Sequence, residues 1–149
     1  MTKQMAQRLT GLLAAVGDLE DPSVRLQVTT QAPEVPVAAT CHSQVEWGRH
    51  LPYSEVREMQ ARSRAIYFPA GLESSGYPLG EARISGQPVI ARDTARNREV
   101  ARPGLCGYNA GDPDSLRRAV RAALTADISP DPGPFDPGRH FGWLLELPR

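Results

Sequence analysis

Excess charge of one sign, cysteine and long apolar runs are all scarce in this sequence. Seventeen Lys and Arg residues balance seventeen Asp and Glu residues, so overall charge does not draw the chain to nucleic acid or to anionic membranes. The two cysteines, Cys41 and Cys106, are too few for a disulfide framework and predict reduced thiols in a cytoplasmic protein. No signal peptide opens the chain, and no run approaches the roughly 18 apolar residues of a membrane span. We therefore expect neither a nucleic-acid binder nor a secreted or integral membrane protein.

The apolar residues that are present follow helix and strand periodicities in turn. Leu9, Leu12 and Val16 recur at three- and four-residue steps and predict a helix over residues 2–19. Alternation of apolar and polar residues predicts a strand over residues 24–28. Further helices are predicted over residues 52–63, 78–85, 95–100 and 113–126, and further strands over residues 45–47, 65–68, 88–91 and 105–109.

This alternation is typical of an α/β protein with an open, mostly parallel sheet and helices on both faces. We predict a single Rossmann-like three-layer domain over residues 1–126. Residues 127–149 are rich in proline and glycine and are predicted to form a tail. An apolar clip at residues 141–145 is expected to dock the tail back onto the domain.

The most informative segment follows the third predicted strand, because ligands of such sheets bind beyond the carboxyl ends of the strands. Glu73 and Glu81 flank a stretch that contains Ser74, Ser75 and Gly76. Free backbone N–H groups before a helix attract phosphate, while Glu81, expected in the first helical turn, suits a diol such as ribose. The pattern outlines a sugar-nucleotide site. A solvated loop before a capped helix is the simpler alternative, because Glu is common in first helical turns.

Residues 73–81, ESSGYPLGE, resemble the signature of retaining GT-B glycosyltransferases of family four, the glycosyl transferases group 1. In that signature seven residues separate two glutamates, and Gly76 and Pro78 fall on its glycine and its proline. The similarity extends over about residues 9–126 and includes Gly48, where the family ends a strand with a glycine. The chain resembles the C-terminal, donor-binding half of the GT-B fold.

The resemblance implies transfer of a sugar from a nucleotide-diphospho-sugar to an acceptor hydroxyl, with retained configuration and with no metal or other cofactor required. It implies that Glu73 is the catalytic residue facing the hydroxyls of the transferred sugar, and that Glu81 binds the ribose. The backbone around four residues would contact the diphosphate: Ser74, Ser75, Gly76 and Tyr77. Three residues would line the nucleobase pocket: Gly48, Arg49 and His50.

Two parts of the family's architecture are missing from this sequence. The family's domain opens with a strand carrying an arginine and a lysine for the diphosphate, whereas here Lys3 and Arg8 are the only nearby cations and neither is in register. Because that strand is a central one, we expect an incomplete sheet or a partner that completes it. The acceptor-binding N-terminal domain is expected on another chain or segment.

Three functions are compatible with these residues. We favour the donor-binding half of a glycosyltransferase. The alternative is a non-catalytic sugar-nucleotide-binding or assembly module that lacks the acceptor domain. A sugar-nucleotide epimerase is the third, but it would need acid and base residues that this segment does not display.

Overall fold

The computed structural model describes residues 3–29, 43–48, 50–70, 76–136 and 138, and helices and strands alternate along them. The elements of the first half are α1 (Lys3–Gly17), β1 (Leu26–Val28), β2 (Val45–Trp47), α2 (Tyr53–Arg62) and β3 (Ile66–Phe68). Those of the second half are α3 (Tyr77–Ser85), β4 (Val89–Arg92), α4 (Ala95–Ala101), β5 (Leu105–Tyr108) and α5 (Pro113–Thr125). Each element matches a predicted one to within about two residues at either end. The predicted α/β class is confirmed.

The strands form two parallel sheets rather than one. β1 pairs with β2, and β3, β4 and β5 follow one another in a second sheet. In register, Leu26 lies opposite Val45 in the first sheet, and Ile66 lies opposite Val89 in the second. Within the described ranges no strand joins β1 to β3. The expectation of an incomplete sheet is confirmed for this part of the chain.

Helices cover both faces of the three-stranded sheet. Ile90 of β4 packs on the face that α1 and α5 cover, whereas its neighbours Val89 and Ala91 pack on the opposite face, below α3 and α4. This division follows from the strand period of two, which sends successive side chains to opposite faces. The sheet and its two helix layers therefore give the predicted three-layer arrangement.

Helix α1 connects the two sheets. Leu12, Ala15 and Val16 belong to the large cluster that includes α5. Leu9 and Leu13 form a smaller cluster with the side chains of β1 and β2. The one apolar stripe recognised in the sequence thus divides between two sheets, and each buried leucine contributes roughly 1.5–3 kcal/mol to folding.

Strand β3 is less buried than its apolar sequence predicted. Phe68 is buried, but Ile66 and Tyr67 are only half-buried. The reason is that one edge of β3 pairs with β4 while the other borders a cavity. Helix α2 shows the same openness: none of its residues is buried, and Tyr53, expected on its apolar face, is 65% exposed.

The described part of the tail packs on helix α3. The Arg83 guanidinium donates two hydrogen bonds to Asp131 Oδ2, at 2.6 and 2.8 Å, and lies over the ring of Phe135. A short 3-10 turn, Gly133–Phe135, interrupts the irregular backbone that its prolines predicted. The apolar clip at residues 141–145 and Cys41 lie outside the described residues. Cys106 is a free, half-buried thiol whose pKa is raised by burial.

Candidate functional site

The start of helix α3 is built around Gly76. This residue is the N-cap and has φ +62°, a left-handed conformation that favours glycine. Its carbonyl accepts from the N–H groups of Leu79 at 2.9 Å and Gly80 at 3.2 Å. Because Pro78 has no N–H, the backbone donors of Gly76 and Tyr77 are those available to an anion at this helix end. Tyr77 extends into solvent, with 74% of its surface exposed.

Glu81 lies one residue further into α3 than expected. The helix begins at Tyr77, so its first turn holds no acidic residue and Glu81 is the fifth residue. The expected position in the first turn is therefore wrong, because the helix starts one residue earlier than Pro78. The Glu81 carboxylate accepts a hydrogen bond from the Tyr53 hydroxyl and lies 3.6 Å from Arg57 Nη1. These two residues of α2 hold the carboxylate between the two helices.

A cation from helix α1 reaches the carboxyl end of strand β3. The Arg8 guanidinium donates to the carbonyl of Pro69, the residue that follows β3. The Tyr67 hydroxyl donates to the Arg8 carbonyl at 3.3 Å and lies 3.3 Å from the Tyr108 hydroxyl. Burial, followed by the contact with Tyr108, raises the pKa of Tyr67, so this phenol stays protonated. Arg8 therefore lies beside the segment that follows β3, in which the ligand site is predicted.

The residues after β2 form the second part of the candidate site. The N–H of Gly48 donates to the Val28 carbonyl at 2.8 Å, and a Cβ on Gly48 would stand 3.0 Å from that oxygen. The close approach of the backbone therefore favours glycine at this position. His50 is exposed. Both residues lie at the strand end, as expected for a ligand site of a parallel sheet.

An ion pair lies at the carboxyl end of β4. The Arg98 guanidinium donates to both carboxylate oxygens of Asp93, at 2.6 and 2.7 Å. These hydrogen bonds hold the pKa of the Asp93 carboxyl below its ordinary value. A Cβ on Gly107 would stand 3.0 Å from Asp93 Cβ, so the glycine leaves room for the pair. Arg98 is thus engaged within the protein at this strand end.

The structure brings together part of the predicted site. Gly76, Tyr77 and Glu81 share helix α3, and Gly48 and His50 follow β2. Four predicted residues lie outside the described residues: Glu73, Ser74, Ser75 and Arg49. Their assignments stay predictions.

Sequence reasoning missed Tyr53 and Arg57 as partners of Glu81. They stand four residues apart on α2 and so share one helix face, which was the available signal. The signal is weak because Tyr53 also fits an apolar stripe with Val56 at helical spacing. Its hydroxyl, not its ring packing, makes the contact seen here.

Metal-ligand clusters and membrane-spanning helices are both absent from the described part of the chain. Among residues 3–29, 43–48, 50–70, 76–136 and 138, no three His, Cys, Asp or Glu side chains cluster as a metal site would require. In the same part of the chain, no helix combines the length and the apolar character needed to cross a membrane.

Comparison with known proteins finds similarity to one family. The sequence profile described as "Glycosyl transferases group 1" matches residues 38–131, which is more than half of the chain. Two relatives, both named "Serotype-specific mannosyltransferase WbdA" from Escherichia coli, are 32% identical over 78 residues. That alignment covers 52% of this chain but only 10% and 9% of the relatives, so the chain corresponds to a small part of them. No solved structure matches the chain significantly.

Proposed function

Because the chain belongs to the glycosyl transferases group 1 family, we propose that it forms the donor-binding half of a retaining glycosyltransferase. The donor is a nucleotide-diphospho-sugar held at the carboxyl ends of the strands. One observation carries the proposal: the Arg8 guanidinium and the Gly76-capped start of α3 both lie at the end of β3. Pro69 and Pro78, which mark these two places, line one common cavity.

The diphosphate is the part of the donor that this geometry suits best. In the transfer, the bond from the sugar's anomeric carbon to the diphosphate oxygen breaks, and the acceptor oxygen forms a new bond to that carbon. The acceptor hydroxyl gives its proton to an oxygen of the departing nucleoside diphosphate, on which the remaining negative charge collects. Arg8 and the N–H groups of Gly76 and Tyr77 stabilise that charge, and such preorganised donors are commonly the largest contribution to catalysis.

Two carboxylates complete the proposed donor site. Glu73 faces hydroxyls of the transferred sugar, and Glu81 accepts hydrogen bonds from the ribose. A carboxylate has about four acceptor positions, so contacts from Tyr53 and Arg57 leave room for ribose hydroxyls. We assign Tyr53 and Arg57 the task of orienting Glu81. Gly48, Arg49 and His50 line the nucleobase pocket.

The names of the relatives suggest the sugar. Both are called mannosyltransferases, and we propose that the donor of this chain carries mannose. The acceptor hydroxyl binds to an acceptor-binding domain that lies on another chain or segment. The donor site requires no metal or other cofactor in this proposal.

The first test is a thermal-shift panel of the full chain. The ligands are uridine, guanosine, adenosine and thymidine diphosphates, each alone and as its mannose conjugate. At about a hundred times its dissociation constant a ligand adds roughly 2.7 kcal/mol, which is several degrees for a domain of this size. A shift with one nucleobase, larger with its mannose conjugate, supports the proposal. A cooperatively melting chain that no ligand shifts contradicts it.

Two glutamate variants make this test specific. Glu81→Gln keeps the size of the side chain but removes its charge, and we expect roughly tenfold weaker binding of the matching donor. Glu20→Gln is the control, because Glu20 is an exposed residue that follows α1 and does not line the cavity shared by Pro69 and Pro78. Equal affinities of the two variants would overturn the ribose assignment of Glu81.

A donor-binding module without transfer activity is the second candidate function. The open edge of β3 beside the site favours it, because an incomplete site can bind a donor without positioning it for reaction. Release of nucleoside diphosphate from the mannose donor distinguishes the two functions. Water can replace the acceptor when no acceptor domain is present, so binding without any release to water indicates the module.

A further inference from the structure

Two tyrosines lie on the face of the three-stranded sheet that helices α1 and α5 cover. Tyr67 of β3 lies opposite Ile90 of β4 in register, and Tyr108 of β5 lies opposite Arg92. Residues two apart on a strand share a face, so both phenol rings project to the side of Ile90 in the large apolar cluster. The ring centroids are 6.3 Å apart, with 23° between the ring planes. The two rings therefore pack together across strand β4.

The hydroxyl groups of these tyrosines form a chain of hydrogen bonds that ends on helix α1. The Tyr67 hydroxyl donates to the Arg8 carbonyl at 3.3 Å and lies 3.3 Å from the Tyr108 hydroxyl. A phenol carries one proton, and a carbonyl can only accept. The proton of Tyr67 therefore faces the Arg8 carbonyl, and Tyr108 is the donor of the second bond. We call this arrangement of Tyr108, Tyr67 and the Arg8 carbonyl the hydroxyl chain.

The hydroxyl chain gives helix α1 a directional contact with the three-stranded sheet. The apolar contacts of α1 divide between the two sheets, with Leu12 in the large cluster and Leu9 and Leu13 in the smaller one. Apolar burial is non-directional, so it constrains rotation of the helix about its axis less than a hydrogen bond does. The Arg8 carbonyl can accept from Tyr67 besides its helical partner, because it has two lone pairs. The turn of α1 that carries Arg8 is therefore held over β3.

Arg8 extends from this turn to the end of β3. The residue is half-buried, and its guanidinium donates to the Pro69 carbonyl. Burial and the contacts with Tyr108 raise the pKa of Tyr67, and the positive charge of Arg8 opposes this rise, so that charge acts on the phenol. Arg8 is thus held at its carbonyl and at its guanidinium. A guanidinium has five N–H donors in a planar fork, so the bond to Pro69 leaves others for an anion.

We propose that Tyr67 is a positioning residue for Arg8, and that Tyr108 orients the Tyr67 hydroxyl. The ligand that Arg8 meets, a nucleoside diphosphate, rests on the proposed function, whereas the link between Tyr67 and Arg8 does not. An arginine that is held before the ligand arrives loses less rotamer freedom on binding. It also presents its N–H groups in the geometry that charge-assisted hydrogen bonds require.

The first test compares the full chain with Tyr67→Phe, which removes the hydroxyl and keeps the ring. Calorimetric titration uses the nucleoside diphosphate that gives the largest shift in the nucleotide panel. We expect Tyr67→Phe to bind this ligand about three- to tenfold more weakly, as for the loss of one hydrogen bond. Tyr108→Phe should weaken binding less, because the Tyr67 proton still reaches the Arg8 carbonyl. Thermal melting verifies that both variants fold.

A double-mutant cycle separates positioning from a general structural effect. If Tyr67 acts through Arg8, Tyr67→Phe should change the affinity by less than about twofold in a chain that already carries Arg8→Met. In a chain that carries Arg118→Met, the loss should equal that in the unsubstituted chain, because the Arg118 side chain is 70% exposed and lies outside the hydroxyl chain. Equal losses in the Arg8→Met and Arg118→Met chains would overturn the proposal.

NMR signals of the arginine side chains test the same link without any nucleotide. We expect the Arg8 Nε–H proton to exchange with water at least about threefold faster in Tyr67→Phe, because the guanidinium is held less firmly at Pro69. The internal reference is the Nε–H of Arg83, which donates to Asp131 at 2.8 Å and belongs to α3 on the opposite face of the sheet.

Two further results would overturn the proposal. One is unchanged exchange of the Arg8 Nε–H proton in Tyr67→Phe. The other is unchanged affinity of Tyr67→Phe for a nucleoside diphosphate that the unsubstituted chain binds. Faster exchange in a chain that binds no nucleotide would instead count against the proposed function alone, because the exchange measurement uses no ligand.

Discussion

The β3–β4–β5 sheet and the β1–β2 sheet share helix α1 but differ in burial. In β4 three successive residues, Val89, Ile90 and Ala91, are buried, because helices cover both faces and strands flank both edges. In β1 and β2 apolar residues alternate with polar ones, and even the apolar residues are only half-buried. The difference shows that the apolar residues of a strand set how much side-chain surface can be buried. The helices and strands that pack against it determine how much of that surface is buried.

This contrast also divides the candidate site. The proposed diphosphate contacts, Arg8 and the start of α3, stand at the end of the three-stranded sheet. The proposed nucleobase contacts follow β2 in the two-stranded sheet. A cavity lined by residues of β1 and β3 lies between them. Any donor that spans both parts must bridge two sheets, and helix α1 packs against both of them.

The largest expected effect tests the unequal burial directly. Val89→Ala removes two methyl groups from a fully buried position and should lower the free energy of unfolding by about 2–3 kcal/mol. Val45→Ala makes the same chemical change in the half-buried β2 and should cost less than about 1 kcal/mol. Urea unfolding of both variants measures the difference. Equal losses would mean that the two sheets are equally well packed in solution.

The second effect concerns which sheet holds the diphosphate. Arg8→Met keeps an aliphatic side chain but removes the guanidinium, and should weaken donor binding by about 1.5–3 kcal/mol, or roughly tenfold or more. Arg118→Met is the matched control, because Arg118 is 70% exposed and pairs only loosely with Asp112 at 3.6 Å. Calorimetric titration with the best ligand of the nucleotide panel compares them. If Arg118→Met weakens binding as much as Arg8→Met does, general electrostatics and not a local contact accounts for the loss.

The fold was largely predictable because its signals are local. Asp112 before Pro113 predicted the start of α5, and the Asp112 carboxylate does accept from the Ser115 N–H at 3.0 Å. The alternating and continuous apolar runs located the strands. A local pattern could not predict how deeply the side chains of β3 are buried, because their burial depends on the strands that lie beside β3. Ile66 and Tyr67 remain half-buried for this reason.

The candidate site was only partly predictable, since its contacts join distant parts of the chain. The sequence drew attention to Glu81, but the hydroxyl of Tyr53 is 28 positions away and its role depends on how α2 packs beside α3. Arg8 and Pro69 are 61 positions apart. The register of Arg8 in the sequence argued against a role at the diphosphate. The position of its charge depends instead on the path of its long side chain.

The third prediction uses the two glycines at the strand ends. Gly76→Ala forces a side chain into a left-handed conformation and should cost about 1–2 kcal/mol of stability. It should weaken all nucleoside diphosphates alike, because it disturbs the helix start. Gly48→Ala crowds the Val28 carbonyl at 3.0 Å and should change the preference among the four nucleobases instead. The thermal-shift panel repeated on both variants measures these preferences. A changed nucleobase preference in Gly76→Ala would contradict the assignment of Gly76 to the diphosphate and of Gly48 to the nucleobase.

The smallest expected effect compares one carboxylate from each half of the molecule. The pKa of Asp93 is lowered first by its hydrogen bonds from Arg98, and the pKa of Asp21 by hydrogen bonds from the Ser23 hydroxyl and N–H. A lowered pKa in the folded state stabilises the protein above the unfolded pKa of about 3.9, and this stabilisation disappears as the pH falls through the folded value.

Asp93→Asn should therefore lower stability at neutral pH and lose its effect in acid, because only the carboxylate form attracts Arg98. Salt at about 1 M, where the Debye length is roughly 3 Å, should reduce this difference further. Asp21→Asn keeps an acceptor oxygen for Ser23, and its smaller effect should not respond to salt in the same way. Thermal melting between neutral pH and about pH 3, with and without salt, measures both variants. A salt response of equal size in the two would show that Arg98 adds nothing specific at the end of β4, and that both carboxylates contribute through hydrogen bonds alone.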